Sequence, residues 1–187
     1  MKAFVFPGQG SQFVGMGKDF SLEFWQAREV FKEADEALSF PLSKLCFEGP
    51  TEDLELTQNT QPAILTTSVA ILRVLESLGE RPEIVLGHSL GEYSATVCAG
   101  GIDFSDAVKV VRERGRLMQD AVPVGIGKMA AVLGLEDQVV REICTQVAGE
   151  QTVSPATLNA PSQVVISGHA LAVDRACKLA HEKGAKK

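Results

Sequence analysis

Residues 83–91 constrain this chain more than any other stretch. Glu83-Ile84-Val85-Leu86 has the composition of a short β-strand and runs directly into Gly87-His88-Ser89-Leu90-Gly91. A helical pattern follows to about Ala99, where Gly100-Gly101 stops it. A strand that becomes a helix within a few residues must bend sharply, which puts the central residue, Ser89, into a strained backbone conformation. The flanking glycines let neighbouring chain approach without a Cβ clash. The hydroxyl then projects from the C-terminal end of a sheet, and the helix start offers free N–H groups to a developing anion. This G-x-S-x-G pattern suits a serine nucleophile, with the Leu90 N–H as one oxyanion donor. The other reading is a Gly/Ser-rich turn without chemistry, and the pattern alone leaves both open.

The surrounding periodicity supports an α/β layer architecture with a parallel sheet. Residues 3–6 predict a strand that runs into the turn Pro7-Gly8-Gln9-Gly10. Apolar side chains at Phe24, Ala27, Phe31, Ala34 and Leu38 predict a helix over 22–38, with Pro41 after it. Thr51 is expected to cap a short helix through Leu56, and Pro62 to sit in the first turn of a long helix over 62–78. A further helix is expected from about Ser105 to Ala121, ending before Pro123. After Gly125-Ile126-Gly127 the rhythm becomes β-α-β-β-α: strands over 128–135, 152–158 and 163–167, helices over 136–148 and 170–183. This is a ferredoxin-like unit lacking its last strand. The expected division is a large α/β lobe over residues 1–126 and a small ferredoxin-like lobe over 127–187. An empty sheet position beside a terminal helix predicts that the sequence is part of a longer protein. The alternative is a small fold that ends in a helix.

The net charge of −6 disfavours sequence-independent nucleic-acid binding, which needs a basic face. No apolar run reaches the roughly 18 residues of a membrane span, and a proline at position 7 breaks the N-terminal apolar stretch too early for a signal peptide. The chain therefore reads as cytoplasmic, with neither nucleic acid nor membrane as a partner. Cys46, Cys98, Cys144 and Cys177 form no C-x-x-C pair and read as buried free thiols. His88, His169 and His181 have no metal-ligand spacing, so no metal is expected.

A serine nucleophile needs a base. His88 is adjacent in sequence, and neighbouring side chains at a strand end point to opposite sides, so it is expected to pack rather than to take the proton. His169 and His181 read as surface residues. The base is therefore missing from these residues. Gln9, in Pro7-Gly8-Gln9-Gly10-Ser11-Gln12, has an amide able to donate to an oxyanion, or else belongs to a plain turn. A phosphate loop does not fit, because Gly17-Lys18 is followed by Asp19. Arg114 falls in the middle of an apolar stripe of Ala107, Val110, Val111, Leu117, Met118 and Ala121. A guanidinium on an inward face must find a partner. That partner is either a protein carboxylate or a substrate carboxylate, which a planar fork suits.

Five segments together carry a resemblance: Phe6-Pro7-Gly8-Gln9-Gly10-Ser11-Gln12, Thr60-Gln61-Pro62-Ala63, Gly87-His88-Ser89-Leu90-Gly91-Glu92-Tyr93, Arg114-Gly115-Arg116-Leu117-Met118-Gln119 and Asn159-Ala160-Pro161-Ser162-Gln163-Val164-Val165. In this order they resemble the malonyl-coenzyme A:acyl carrier protein transacylases of fatty-acid synthesis. The resemblance implies a hydrolase-like large lobe with a nucleophile elbow and a ferredoxin-like lobe inserted in it. It also implies a catalytic histidine beyond Lys187. By the same resemblance Ser89 attacks malonyl-coenzyme A, Gln9 and Leu90 form the oxyanion hole, and Arg114 holds the malonyl carboxylate. Gln61 and Asn159 lie near the substrate. Acyl carrier protein accepts the acyl group, and no cofactor beyond the coenzyme A thioester substrate is implied. Alternatives are a serine esterase or thioesterase-type hydrolase, an acyltransferase domain of a multidomain synthase, and a non-catalytic fragment.

Overall fold

The computed structural model describes residues 1–122 and 125–186. Pro123, expected to follow the helix end, lies outside the described residues. The chain forms two compact units, Met1–Asp120 and Ala121–Lys187.

In the first unit β1 (Ala3–Phe6) lies parallel to β2 (Ile84–Gly87), in the register Ala3↔Ile84 to Phe6↔Gly87. Between them run α1 (Lys18–Glu23), α2 (Trp25–Leu38), α3 (Leu42–Glu48), α4 (Thr51–Glu55) and α5 (Thr57–Ser77). Then α6 (Gly91–Cys98) and α7 (Phe104–Ala121) follow β2. The core centres on α5, which is buried around most of its circumference, with Ala63, Leu65, Val69 and Ala70 wholly enclosed. Such a helix sits inside a fold rather than on its surface. Phe31, Leu42, Val108 and Val111 close around it.

Three expectations for this unit need correction. The helix expected over 22–38 is broken at Phe24, whose extended backbone (φ −117°, ψ 120°) separates α1 from α2, and α3 was not anticipated after Pro41. Thr51 does not cap α4: Pro50 holds the cap position and no side chain caps the helix. The long helix begins at Thr57, so Pro62 lies inside it rather than in its first turn. Side chains at the true start explain this. The Thr60 hydroxyl donates to the Leu54 carbonyl (2.6 Å), and the Asn59 amide donates to the Asp53 carbonyl (2.9 Å). These bonds tie the first turn to α4, so the N–H that Pro62 lacks is lost without ending the helix. The earlier start places Gln61 on the helix.

The second unit is a three-stranded antiparallel sheet in the order β3-β5-β4, with β3 (Gly127–Leu133), β4 (Val153–Ala160) and β5 (Gln163–His169). Helices α8 (Asp137–Ala148) and α9 (Ala170–Glu182) carry its core with Val132, Val164 and Ile166. Pro155 interrupts the β4 ladder at a bulge, which an edge strand tolerates.

Candidate active site

The turn after β2 is held by backbone contact. Gly87 and Gly91 stack so closely that a Cβ on Gly87 would overlap the Gly91 carbonyl and the Glu92 nitrogen, and a Cβ on Gly91 would overlap the Phe6 carbonyl oxygen. A Cβ on Gly8 would come within 2.7 Å of the His88 carbonyl oxygen and 2.9 Å of its Nδ1. The end of β1 therefore braces the elbow, and the His88 N–H donates to the Phe6 carbonyl (3.3 Å). Within this frame Ser89 has φ 53°, left-handed for a residue with a side chain. Such a conformation costs about 1–3 kcal/mol and persists only where surroundings enforce it. Ser89 is exposed, whereas Leu90 beside it is buried. The Gly91 N–H donates to the His88 carbonyl (2.9 Å), and no acceptor is found for the Leu90 N–H among the described residues. The Gly87→Ala variant is expected to lose about 3 kcal/mol or more of stability, because backbone atoms on the facing turn cannot yield. Thermal unfolding measures it, and an unchanged midpoint would contradict the packing described.

Arg114 lies across from this hydroxyl. Its Nη2 donates to Ser89 Oγ (3.0 Å) and its Nη1 donates to Gln61 Oε1 (2.6 Å). The Gln61 amide is fully buried, and its Nε2 donates to the Met118 thioether (3.3 Å). The Tyr93 ring, on the first turn of α6, lies 5.8 Å from the guanidinium carbon. Among the described residues Arg114 takes part in no ion pair, while its neighbour Arg116 is paired with both Glu113 and Asp120. The helix carrying Arg114 reaches α5 because Gly115 has no side chain: a Cβ there would stand 2.5 Å from the Thr57 carbonyl oxygen. A hydroxyl under a cation, beside the Leu90 N–H, is suited to attack a carbonyl carbon. A guanidinium without a protein carboxylate is suited to a carboxylate on the acyl group.

The decisive observation on lineage is that the acyl transferase domain family matches residues 3–187. This chain belongs to the acyl transferase domain family. It is 51% identical over 186 residues to the malonyl CoA-acyl carrier protein transacylase of Bacillus subtilis (strain 168), a match covering 99% of this chain and 59% of that protein. The structure of the malonyl CoA-acyl carrier protein transacylase from Coxiella burnetii is similar, with a TM-score of 0.95 at 51% identity, covering 99% of this chain and 59% of that one. A malonyl-transacylase in complex with a type II PKS acyl-carrier protein matches with a TM-score of 0.94 at 48% identity, covering 99% of this chain and 60% of that one. The acyl transferase chain thus spans about 60% of the length of the relatives it matches.

Of the residues singled out from the sequence, Ser89, Arg114 and Gln61 form one hydrogen-bonded chain. The Gln9 amide donates to the Thr57 hydroxyl (3.4 Å) at the start of α5. Asn159 lies on β4 of the second unit. His169 precedes α9 and its Nδ1 accepts from the Thr152 N–H (3.0 Å), and His181 is in the last turn of that helix. The apolar stripe assigned to α7 was partly wrong. Val110, Leu117 and Met118 are exposed, and the buried face is Phe104, Ala107, Val108, Val111 and Gly115. Arg114 is half-buried at the margin of that face. Arg112 is half-buried with its guanidinium carbon 4.1 Å from the Phe40 ring centre. The sequence reading placed Met118 in the apolar stripe and gave Tyr93 and Gly115 no role in the site. The spacing of Met118, one turn after Arg114, was the available signal.

The four cysteines are free: Cys46 and Cys144 are buried, Cys98 and Cys177 half-buried. Burial, with Asp35 adding to it, pushes the Cys46 thiol up to about 12, and burial also raises the other three. None is activated as a nucleophile. Among the described residues no group of His, Cys, Asp and Glu could hold a metal ion, and no helix is long and apolar enough to cross a membrane.

Proposed function

We propose that the protein carrying this sequence transfers a malonyl group from malonyl-coenzyme A to the pantetheine thiol of acyl carrier protein, through a malonyl ester on Ser89. The observation that carries this reading is the Arg114 guanidinium, 3.0 Å from the Ser89 hydroxyl and outside any protein ion pair among the described residues. Ser89 Oγ adds to the thioester carbonyl and its proton passes to a histidine downstream of Lys187. The carbonyl oxygen becomes an oxyanion held by the Leu90 N–H and the Gln9 amide. Collapse of the tetrahedral adduct breaks the C–S bond, and coenzyme A leaves as its thiol after recovering the proton. The pantetheine thiol repeats the sequence in reverse, regenerating Ser89. Arg114 binds the malonyl carboxylate throughout. Asn159, on β4, is assigned a substrate-binding role by the family resemblance.

The proposed architecture is a hydrolase-like large lobe over residues 1–126 and a ferredoxin-like small lobe over 127–187, working in the cytoplasm. The sheet order β3-β5-β4 supports the small-lobe assignment, because β3 lies at an edge where a further strand would pair. The Lys186 N–H already donates to the Leu133 carbonyl there (2.8 Å).

The test is stepwise. Incubation of the intact protein with malonyl-coenzyme A should add one malonyl group, mapped to Ser89 by mass spectrometry. Carrier protein should then remove it faster than water does. Preferential loss to water would instead mark a hydrolase. The 187-residue chain alone is expected to show little or no turnover, and normal turnover by it would place a base within these residues.

A further inference from the structure

Resting on the reading of Arg114 as the carboxylate-binding group, we infer that Met118 is a positioning residue. Its thioether fixes which way the Gln61 amide faces, and so fixes the plane of the Arg114 guanidinium. A glutamine amide has two orientations of nearly equal shape. Gln61 is fully buried, so water cannot satisfy the wrong one. In the observed orientation Oε1 accepts from Arg114 Nη1 (2.6 Å) and Nε2 donates to Met118 Sδ (3.3 Å). Reversed, the amide N–H groups would confront the N–H groups of a cation, and the carbonyl would face a sulfur that has no hydrogen to give. A thioether is a weak acceptor and never a donor, so Met118 rewards one orientation alone.

The geometry makes this a clasp. Arg114 and Met118 are one helical turn apart on α7 and therefore share a face. The Gln61 amide, presented by α5, bonds to both. Gly115 lies between the two in sequence and admits the close approach of the helices. Arg114 is thus anchored through different nitrogens, Nη1 on Gln61 and Nη2 on Ser89. Two anchors define a plane, and a carboxylate receives two parallel hydrogen bonds only from a guanidinium in the right plane. When an acyl carboxylate draws Nη2 from Ser89, the Gln61 bond is the anchor that remains. An acyl group without a carboxylate makes no use of the clasp. Met118 therefore acts on selectivity between acyl groups more than on the transfer step.

The experiment compares Met118→Leu, Met118→Gln and Arg114→Ala in the intact protein, with kcat and KM measured separately for malonyl- and acetyl-coenzyme A. Leucine keeps the volume and removes the acceptor, and Met118 is half-exposed, so folding is retained and thermal unfolding checks it. Met118→Leu is expected to lower the malonyl-to-acetyl selectivity by about 5–10-fold, mainly through the malonyl KM, consistent with loss of one weak, part-buried hydrogen bond. Met118→Gln restores an acceptor but also adds a donor able to satisfy the reversed amide, so it should recover the selectivity only in part. Equal losses for both acyl groups, or unchanged selectivity in Met118→Leu, would overturn the inference. If Arg114→Ala collapses the selectivity while Met118→Leu does not, only the role of Met118 falls. If Arg114→Ala leaves it intact, the reading of Arg114 itself falls.

Discussion

Replacing Ser89 with alanine in the intact protein is expected to abolish the covalent acyl intermediate and to lower transfer by about a millionfold, the scale seen when a serine nucleophile is removed. The variant should fold normally. Alanine tolerates the left-handed conformation no worse than serine by more than about 1 kcal/mol, and Arg114, which loses the hydroxyl as an acceptor, keeps its bond to Gln61. Mass spectrometry after exposure to malonyl-coenzyme A should show an adduct on the wild type and none on the variant. An adduct of equal yield on the variant would remove Ser89 from the chemistry.

Arg114→Ala should separate acyl groups by charge. Malonyl carries a carboxylate and acetyl does not, so only malonyl loses a charge-assisted pair of hydrogen bonds. Each bond to a charged group contributes about 1.5–3 kcal/mol, so malonyl transfer should fall roughly a hundredfold or more relative to acetyl transfer. Arg114→Lys keeps a point charge but not the fork and should fall between the two. Steady-state rates with both donors give the ratio directly. Equal losses for the two donors would mean that Arg114 acts on Ser89 alone, through the 3.0 Å bond to its hydroxyl.

The site was legible where its determinants are local. Gly87, Ser89 and Gly91 lie within five residues, so strand, turn and helix propensities suffice to place the hydroxyl. Arg114 was legible as a charge that breaks a pattern, although the pattern itself was drawn through Val110, Leu117 and Met118, which are exposed. The clasp was not legible, because Gln61 faces Arg114 only after α5 starts five residues before Pro62, and the Thr60 and Asn59 side chains that set this start bond to a preceding helix. Gly115 has the same opacity. Nothing in its neighbours reveals that the Thr57 carbonyl will stand against it. The breaks at Phe24 and around Pro41 likewise depend on packing that apolar spacing does not encode.

The pairing of Ala3 with Ile84 has a consequence for biosynthesis. On a ribosome β1 emerges long before its partner, and the intervening helices can associate first because their contacts are closer in sequence. The bend that presents Ser89 is braced by the carbonyls of Phe6 and Pro7, so it can be set only after that distant pairing closes. Reactivity of this serine towards an acylating probe therefore requires that pairing to have closed, and a pulse of such a probe during refolding of the intact protein would set a latest time for it.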